Sequence, residues 1–277
     1  GIFHIRTPDG QHVIIDNQSK APLASQPDMF EPVADTPDRR LETVGRLNTC
    51  GPLAMATPGA LAGWAEALSR FGRFSLADVM EPAIRHAKRG FTASSYLSEC
   101  TDEAKDDLAK DPNIAALYLP DGAPLQPGHR IVQSEYAETL QTIADEGIAA
   151  FYDGAIGAAL TEYMAKCGGL ITQADLAECA PIDRHAIHGS YRGYEIIGPP
   201  PPASSGLHIA QMLKILEGFD LAEMGFGSVE ATHLLIEALK IAFADRVAST
   251  ADPAFVDVPV ERLLDPAYAA ERRAQIR

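Results

Sequence analysis

The stretch Thr57-Pro58-Gly59-Ala60-Leu61-Ala62-Gly63-Trp64-Ala65-Glu66-Ala67-Leu68-Ser69-Arg70-Phe71 decides how the middle of the chain is read. Leu61, Trp64, Ala65 and Leu68 recur at helical spacing. Thr57 as N-cap with Pro58 at the first helical position predicts where that helix begins, and Gly72 ends it. Ser75-Leu76-Ala77-Asp78 opens a second helix in capping-box form, with Ser at the cap and Asp three residues later. Val79, Pro82, Ala83 and Ala87 continue its apolar side, and Gly90 stops it. The same periodicity predicts helices over about 93–109, 135–146, 155–166 and 172–178, so the middle of the chain is mainly helical.

Toward the N-terminus, residues 17–53 are loop-like, broken by Pro22, Pro27, Pro32, Pro37 and Pro52, with a strongly polar run at 35–40. Residues 1–7 and 11–16 are rich in Ile, Val, Phe and His, and Pro8-Asp9-Gly10 between them predicts a hairpin. A lone hairpin is marginal in water, and no neighbour for it is evident in the sequence. Toward the C-terminus, 186–189 and 191–198 read as strands. Pro199-Pro200-Pro201-Pro202 then predicts an extended, polyproline-like approach to Ala203-Ser204-Ser205-Gly206. Ser204 or Ser205 is placed to cap a helix carrying Ile209, Met212, Leu213 and Leu216, and a last long helix over about 229–249 carries Leu234, Leu235, Ala238, Leu239 and Ala242 on one face.

The 277 residues hold 23 Lys and Arg against 38 Asp and Glu, a formal charge of −15. Such a field repels phosphate backbones and anionic lipid surfaces, which argues against nucleic acid as a partner. No apolar run approaches the roughly 20 residues that span a bilayer, so membrane insertion is not expected. Cys50, Cys100, Cys167 and Cys179 are widely spaced with no C-x-x-C pair, and read as reduced thiols, with disulfides open to an exported protein.

The motifs that carry chemistry are mostly absent: there is no P-loop, no dinucleotide-binding glycine pattern and no H-E-x-x-H. His185 and His188 lie three apart in a strand-like segment, so their side chains point to opposite faces and no metal site is expected there. His4 and His12 face each other across the first hairpin, but two imidazoles without a third ligand read as ordinary polar residues. Ser204-Ser205-Gly206 lacks the G-x-S-x-G elbow, so a capping role is favoured over a nucleophile. Asp252-Pro253 and Phe255-Val256-Asp257-Val258-Pro259 read as a shaped loop whose carboxylates bind something or are simply solvated. Composition and spacing alone stop at an acidic α/β domain without an assigned activity.

Taken in order, several segments resemble the large-subunit region of the gamma-glutamyltransferase family. They are Thr57-Pro58-Gly59 through Gly63 with Phe71-Gly72-Arg73, and Glu81-Pro82-Ala83-Ile84 through Gly90-Phe91. Phe151-Tyr152-Asp153-Gly154, Gly168-Gly169-Leu170-Ile171-Thr172 and Asp175-Leu176 follow. Tyr191-Arg192-Gly193-Tyr194, the proline run into Ser204-Ser205-Gly206, and Ala244-Asp245-Arg246 with Asp252-Pro253 complete the series. The resemblance covers nearly the whole chain. It implies an α/β fold, the layered αββα sandwich of N-terminal-nucleophile hydrolases, here an incomplete part with a largely helical middle. It further implies that residues 1–277 are a large-subunit portion without the family's N-terminal segment and small subunit.

The family's activity would then come from a precursor that cuts itself and exposes a threonine at the start of the small subunit, both nucleophile and, through its α-amine, base. That threonine is expected downstream, so no catalytic residue is assigned within this chain. The implied partners are the small subunit from the same precursor and a small-molecule amide. No metal and no organic cofactor is implied, and export to the periplasm or outside is suggested by bacterial members, with the cytoplasm left open.

One departure bears on substrate. The family's R-E-x-A-P motif uses its arginine to grip the α-carboxylate of the glutamyl group by a bidentate, charge-assisted pair. The matching segment here is Asp16-Asn17-Gln18-Ser19-Lys20-Ala21-Pro22, which puts Gln18 in the arginine's place. Gln18 is the one expected substrate-binding residue, against the alternative of a polar residue ending an edge strand. Lys20, two residues on, is positioned to compensate if the segment stays extended. The resemblance implies cleavage of gamma-glutamyl (glutathione-type) or related amides by an acyl-enzyme route, with the acyl group passed to an amino acid or water. Because the family also includes acylases of β-lactam side chains and of other small amides, a non-glutamyl acyl donor and a non-catalytic binding relative are the alternatives.

Overall fold

The computed structural model describes residues 1–34, 36 and 41–277, and most of the polar run at 35–40 lies outside them. Among the described residues the strands are β1 (Ile2–Arg6), β2 (His12–Asp16), β3 (Phe91–Thr92), β4 (Arg130–Ile131), β5 (Ile182–Arg184), β6 (Ile187–Tyr191) and β7 (Tyr194–Gly198). The helices are α1 (Ala60–Phe71), α2 (Leu76–Arg89), α3 (Ser95–Glu103), α4 (Lys105–Leu108), α5 (Pro112–Tyr118), α6 (Ser134–Glu146), α7 (Ala149–Tyr152), α8 (Ala155–Cys167) and α9 (Gln173–Ala177), then α10 (Ser205–Leu216), α11 (Leu221–Met224), α12 (Val229–Ser249), α13 (Val260–Leu264) and α14 (Pro266–Arg273). They fall into two compact units, Gln18–Ala180 and the pairing of Gly1–Asn17 with Pro181–Arg277.

The Gln18–Ala180 unit is helical, as its periodicity predicts. Ser75 and Asp78 form the expected capping box on α2, and Thr172 and Asp175 form another on α9. Gly90 ends α2 with φ +79, and a Cβ there would lie 2.6 Å from the Ile131 carbonyl, so the position needs glycine for conformation and for space. Ala62, Tyr152, Met164, Ile171 and Leu176 form its main core.

Two helix expectations in this unit need correction. The single helix over 93–109 is instead α3 and α4, separated at Ala104, and α5 follows, capped by Asp111, whose Oδ1 accepts from the Asn113 and Ile114 amides. Thr57 does not cap α1. Its N–H and C=O are bonded to Lys20, which holds it extended, and the helix starts at Ala60. The amide of Ala62 is met instead by the Tyr152 hydroxyl at 3.1 Å.

In the second unit the predicted hairpin forms with Phe3 opposite Ile15 and Arg6 opposite His12. Its missing neighbour is β5, which pairs antiparallel with β2 to give the order β1-β2-β5. Ile182-Asp183-Arg184 is too short and too charged to announce itself as a strand. β6 and β7 make a second hairpin through Arg192 and Gly193, both at positive φ.

The proline run does not stay extended: the chain turns at Pro201 and Pro202, whose peptide is cis. Ser204 stands at the N-cap position of α10, but its side chain makes no capping bond, and Ser205 is the first residue of the helix. The end of β7 and the start of α10 are pressed together instead: a Cβ on Gly206 would sit 2.2 Å from the Pro199 carbonyl, and one on Gly198 would sit 2.6 Å from the Gly206 Cα. α12 packs on α10 through Leu234, Ala238 and Ala242, whereas Leu235 and Leu239, expected on the same face, are exposed.

Candidate functional site

Gln18 opens the helical unit two positions after β2 ends. β2 is the middle strand of its sheet, so the reading of Gln18 as the end of an edge strand does not hold. The side chain is half-buried and its Nε2 is shielded from solvent.

The segment that carries Gln18 is fastened at three places within its own unit. Thr57 N donates to the Lys20 carbonyl at 2.8 Å, and Lys20 N returns a bond to the Thr57 carbonyl at 3.3 Å. Lys20 Nζ donates to the Glu178 carbonyl at 3.3 Å. Leu23 N donates to Asp175 Oδ1 at 2.6 Å. The Lys20 ammonium is thus engaged at the end of α9, where its field opposes the burial that pushes the Cys179 thiol up.

Tyr152 and Asp175, beside this segment, are buried and bonded. Tyr152 donates its hydroxyl proton to the Pro58 carbonyl at 2.9 Å and accepts from Ala62 N, and the Cys179 thiol donates to the same carbonyl at 3.2 Å. Burial pushes the Tyr152 phenol up to about 12, so it remains a proton donor at any physiological pH. Burial works to raise the Asp175 carboxyl, but the Thr172 hydroxyl and the Leu23 and Thr172 amides outweigh it and hold the group below its ordinary value. Thr57 Oγ1 is buried without a hydrogen-bond partner among the described residues.

The other unit contains a polar network that sequence reasoning passed over except as a motif. The Thr250 hydroxyl lies 2.7 Å from His208 Nε2, and His208 Nδ1 lies 2.8 Å from Gln211 Oε1. Gln211 Nε2 donates to Asp245 Oδ2 at 2.6 Å. That bond fixes the amide orientation, so His208 donates from Nδ1 to the Gln211 Oε1. Asp245 also accepts from the Tyr268 hydroxyl at 2.8 Å and from Arg272 Nη2 at 2.6 Å. Burial first, and then the Asp245 carboxylate, raise the Tyr268 phenol above its usual range. The network ties α10, α12 and α14 into one block; its sequence trace is an acid and a base too far apart to be read as partners.

The remaining sequence-predicted features disperse. His185 lies outside any strand and His188 lies within β6, its Nδ1 3.1 Å from Glu195 Oε1. Asp252 caps its own turn at the Ala254 amide and stands 3.8 Å from Arg184, which is bonded to Asp16 at 2.6 Å. Asp257, Arg184 and His185 line a 390 Å³ cavity in that unit. No two of the four cysteines are bonded to each other. Among the described residues no three His, Cys, Asp or Glu side chains cluster as metal ligands, and no helix is long and apolar enough to cross a membrane.

Comparison with known proteins places these features in context. The profile of the gamma-glutamyltranspeptidase family matches residues 1–277. The chain is 59% identical over 276 residues to the acylase ACY 1 proenzyme of Pseudomonas sp. (strain V22), covering 100% of this chain and 50% of that protein. It is 38% identical over 277 residues to the glutathione hydrolase proenzyme of Escherichia coli (strain K12), covering 100% and 47% respectively. The crystal structure of Helicobacter pylori gamma-glutamyltranspeptidase superimposes with a TM-score of 0.93 at 33% identity, over 100% of this chain and 78% of that one. The chain spans about half the length of the curated relatives it matches.

Proposed function

Because the chain belongs to the gamma-glutamyltranspeptidase family, we propose that it is the large-subunit portion of a self-processing amide-cleaving enzyme whose acyl donor lacks the α-carboxylate of a gamma-glutamyl group. The observation that carries the reading is Gln18, a neutral amide where the family's motif has a carboxylate-binding arginine. A guanidinium offers a planar fork of N–H donors and a fixed charge, whereas a glutamine amide offers two N–H bonds and no charge. The one nearby cation on the segment, Lys20, is bonded at Glu178, which leaves the charge unreplaced.

The class of reaction is supported by the proenzyme names of the relatives and by the fold shared with the gamma-glutamyltranspeptidase structure. A terminal threonine, exposed when the precursor cuts itself, attacks the amide; the leaving amine departs with a proton, and an amino acid or water takes the acyl group. The partner would be the small subunit, in the half of the relatives' length that this chain does not cover. The higher identity to an acylase than to a glutathione hydrolase supports the non-glutamyl donor.

The test is intact-mass measurement and N-terminal sequencing of protein made from the complete gene, followed by a donor comparison. A second chain beginning with Thr, and faster turnover of a simple acyl amide than of the matched gamma-glutamyl amide, are the expected results. A single folded chain that stays uncut on prolonged incubation would remove the enzyme reading and leave a binding relative. A cut enzyme that prefers the gamma-glutamyl donor would leave the class intact and overturn the substrate.

A further inference from the structure

The first hairpin brings together two imidazoles that the proposed reaction does not use. His4 stands opposite Ile14 and His12 opposite Arg6, so the two histidines are diagonal neighbours on one face of the β1–β2 pair. His4 Nε2 lies 2.8 Å from His12 Nδ1, with ring centroids 5.0 Å apart and the planes inclined by 55°. His4 is exposed and His12 half-buried.

Both rings belong to adjacent strands of a three-stranded sheet, which fixes their spacing far better than two side chains on a loop. The spacing selects a geometry. With metal–nitrogen bonds of about 2.0–2.1 Å, a right-angled cis pair needs its nitrogens about 2.9 Å apart, whereas a tetrahedral pair needs about 3.3 Å. The observed 2.8 Å is a hydrogen-bond separation that lies nearer the right-angled bite, so a small turn of the rings reaches it.

We propose that His4 and His12 form a cis two-imidazole chelate for a divalent transition-metal cation of tetragonal preference, Cu²⁺ ahead of Ni²⁺, with water in the other positions. On binding, the proton shared between the rings moves to the outer nitrogen of its own imidazole, and the two inner nitrogens turn their lone pairs to the metal. Copper heads the divalent order for nitrogen sites, and its tetragonal geometry accepts the right-angled bite that zinc disfavours. The protein's net charge of −15 raises the local concentration of cations. Arg6, on the same face, works against the site and supplies an internal control.

The experiment titrates the purified full-length protein with one equivalent of Cu²⁺ and reads the electron paramagnetic resonance spectrum and affinity beside the variants H4Q, H12Q and R6Q. The expected spectrum shows two equatorial nitrogens. Either His→Gln variant reduces this to one and weakens binding at least tenfold, since the second imidazole acts at a high effective concentration. R6Q binds more tightly, by a factor that shrinks as salt rises. Zn²⁺ competes less well than Ni²⁺. A wild-type spectrum with one nitrogen, or His variants that bind as the wild type does, would overturn the site; circular dichroism and self-processing identify any variant that has lost its fold.

Discussion

Restoring an arginine at position 18 tests the central substrate argument directly. In the Q18R variant a guanidinium replaces an amide on a segment already held by Thr57, Glu178 and Asp175, so the new group is presented by fixed backbone. A charge-assisted pair with an α-carboxylate contributes about 1.5–3 kcal/mol, which is roughly a 10- to 150-fold change in an equilibrium or rate ratio. Part of that is offset by desolvation, because the Gln18 amide nitrogen is already shielded from solvent. The expected net result is a gain near the lower end, about tenfold, in kcat/KM for a gamma-glutamyl anilide relative to the matched acyl anilide without the α-carboxylate. The ratio of the two donors on one preparation is the readout, since it cancels differences in the fraction processed. A Q18R enzyme that cuts itself, folds and shows an unchanged ratio would refute the assignment of Gln18 to the donor pocket.

Four further outcomes follow from the contacts around that segment and from the buried network. Y152F leaves the Ala62 amide without its partner and is expected to cost about 2 kcal/mol, a fall in Tm of roughly 4–8 °C, with faster hydrogen exchange in the first turn of α1; unchanged exchange there would show that the hydroxyl is not the cap. D245N leaves the Arg272 guanidinium unpaired and is expected to cost about 3 kcal/mol, part of which D245N/R272M regains; equal losses in both would assign the effect to Gln211 and Tyr268. Because the Asp175 carboxyl is held low in the folded state, its contribution is present above its unfolded value of about 3.9 and is lost as pH falls through the lower folded value. D175N should therefore be less stable than wild type at pH 7 and converge with it in acid, as urea melts at several pH values would read. G206A drives a methyl into the Pro199 carbonyl and is expected to cost about 3 kcal/mol or more, seen as lost soluble expression, whereas S204A changes stability little because Ser204 makes no capping bond.

Local signals were legible where one short stretch both states and satisfies its own requirement. The capping box at Ser75/Asp78, the Gly90 stop and the Pro8-Asp9-Gly10 hairpin are of this kind, because each bond closes within a few residues. Thr57 shows the opposite case. Thr-Pro-Gly ahead of an apolar period is a sound helix start, but Lys20 reaches Thr57 from 37 residues earlier, and a cross-chain backbone pair outweighs one side-chain cap. β5 was missed for a related reason. Its three residues carry two charges, and what makes them a strand is the open edge of β2, which lies far away in sequence.

The site divides along the same line. Gln18 is proposed only from its place in a motif, since a single polar residue after a strand has no signature of its own. What the structure adds is why that position is held so firmly: the backbone two residues later is bonded to Thr57, Thr57 is followed by the Pro58 carbonyl that accepts from Tyr152 and Cys179, and Leu23 is bonded to the α9 cap. Two of these anchors, Tyr152 and Asp175, lie in the F-Y-x-G and G-G-L-I-T-x-x-D-L segments on which the family resemblance rests. Both anchors hold the backbone that follows position 18, at Lys20 and Leu23, so under the proposed function a change of side chain at 18 would alter the acyl group accepted while this frame stays in place.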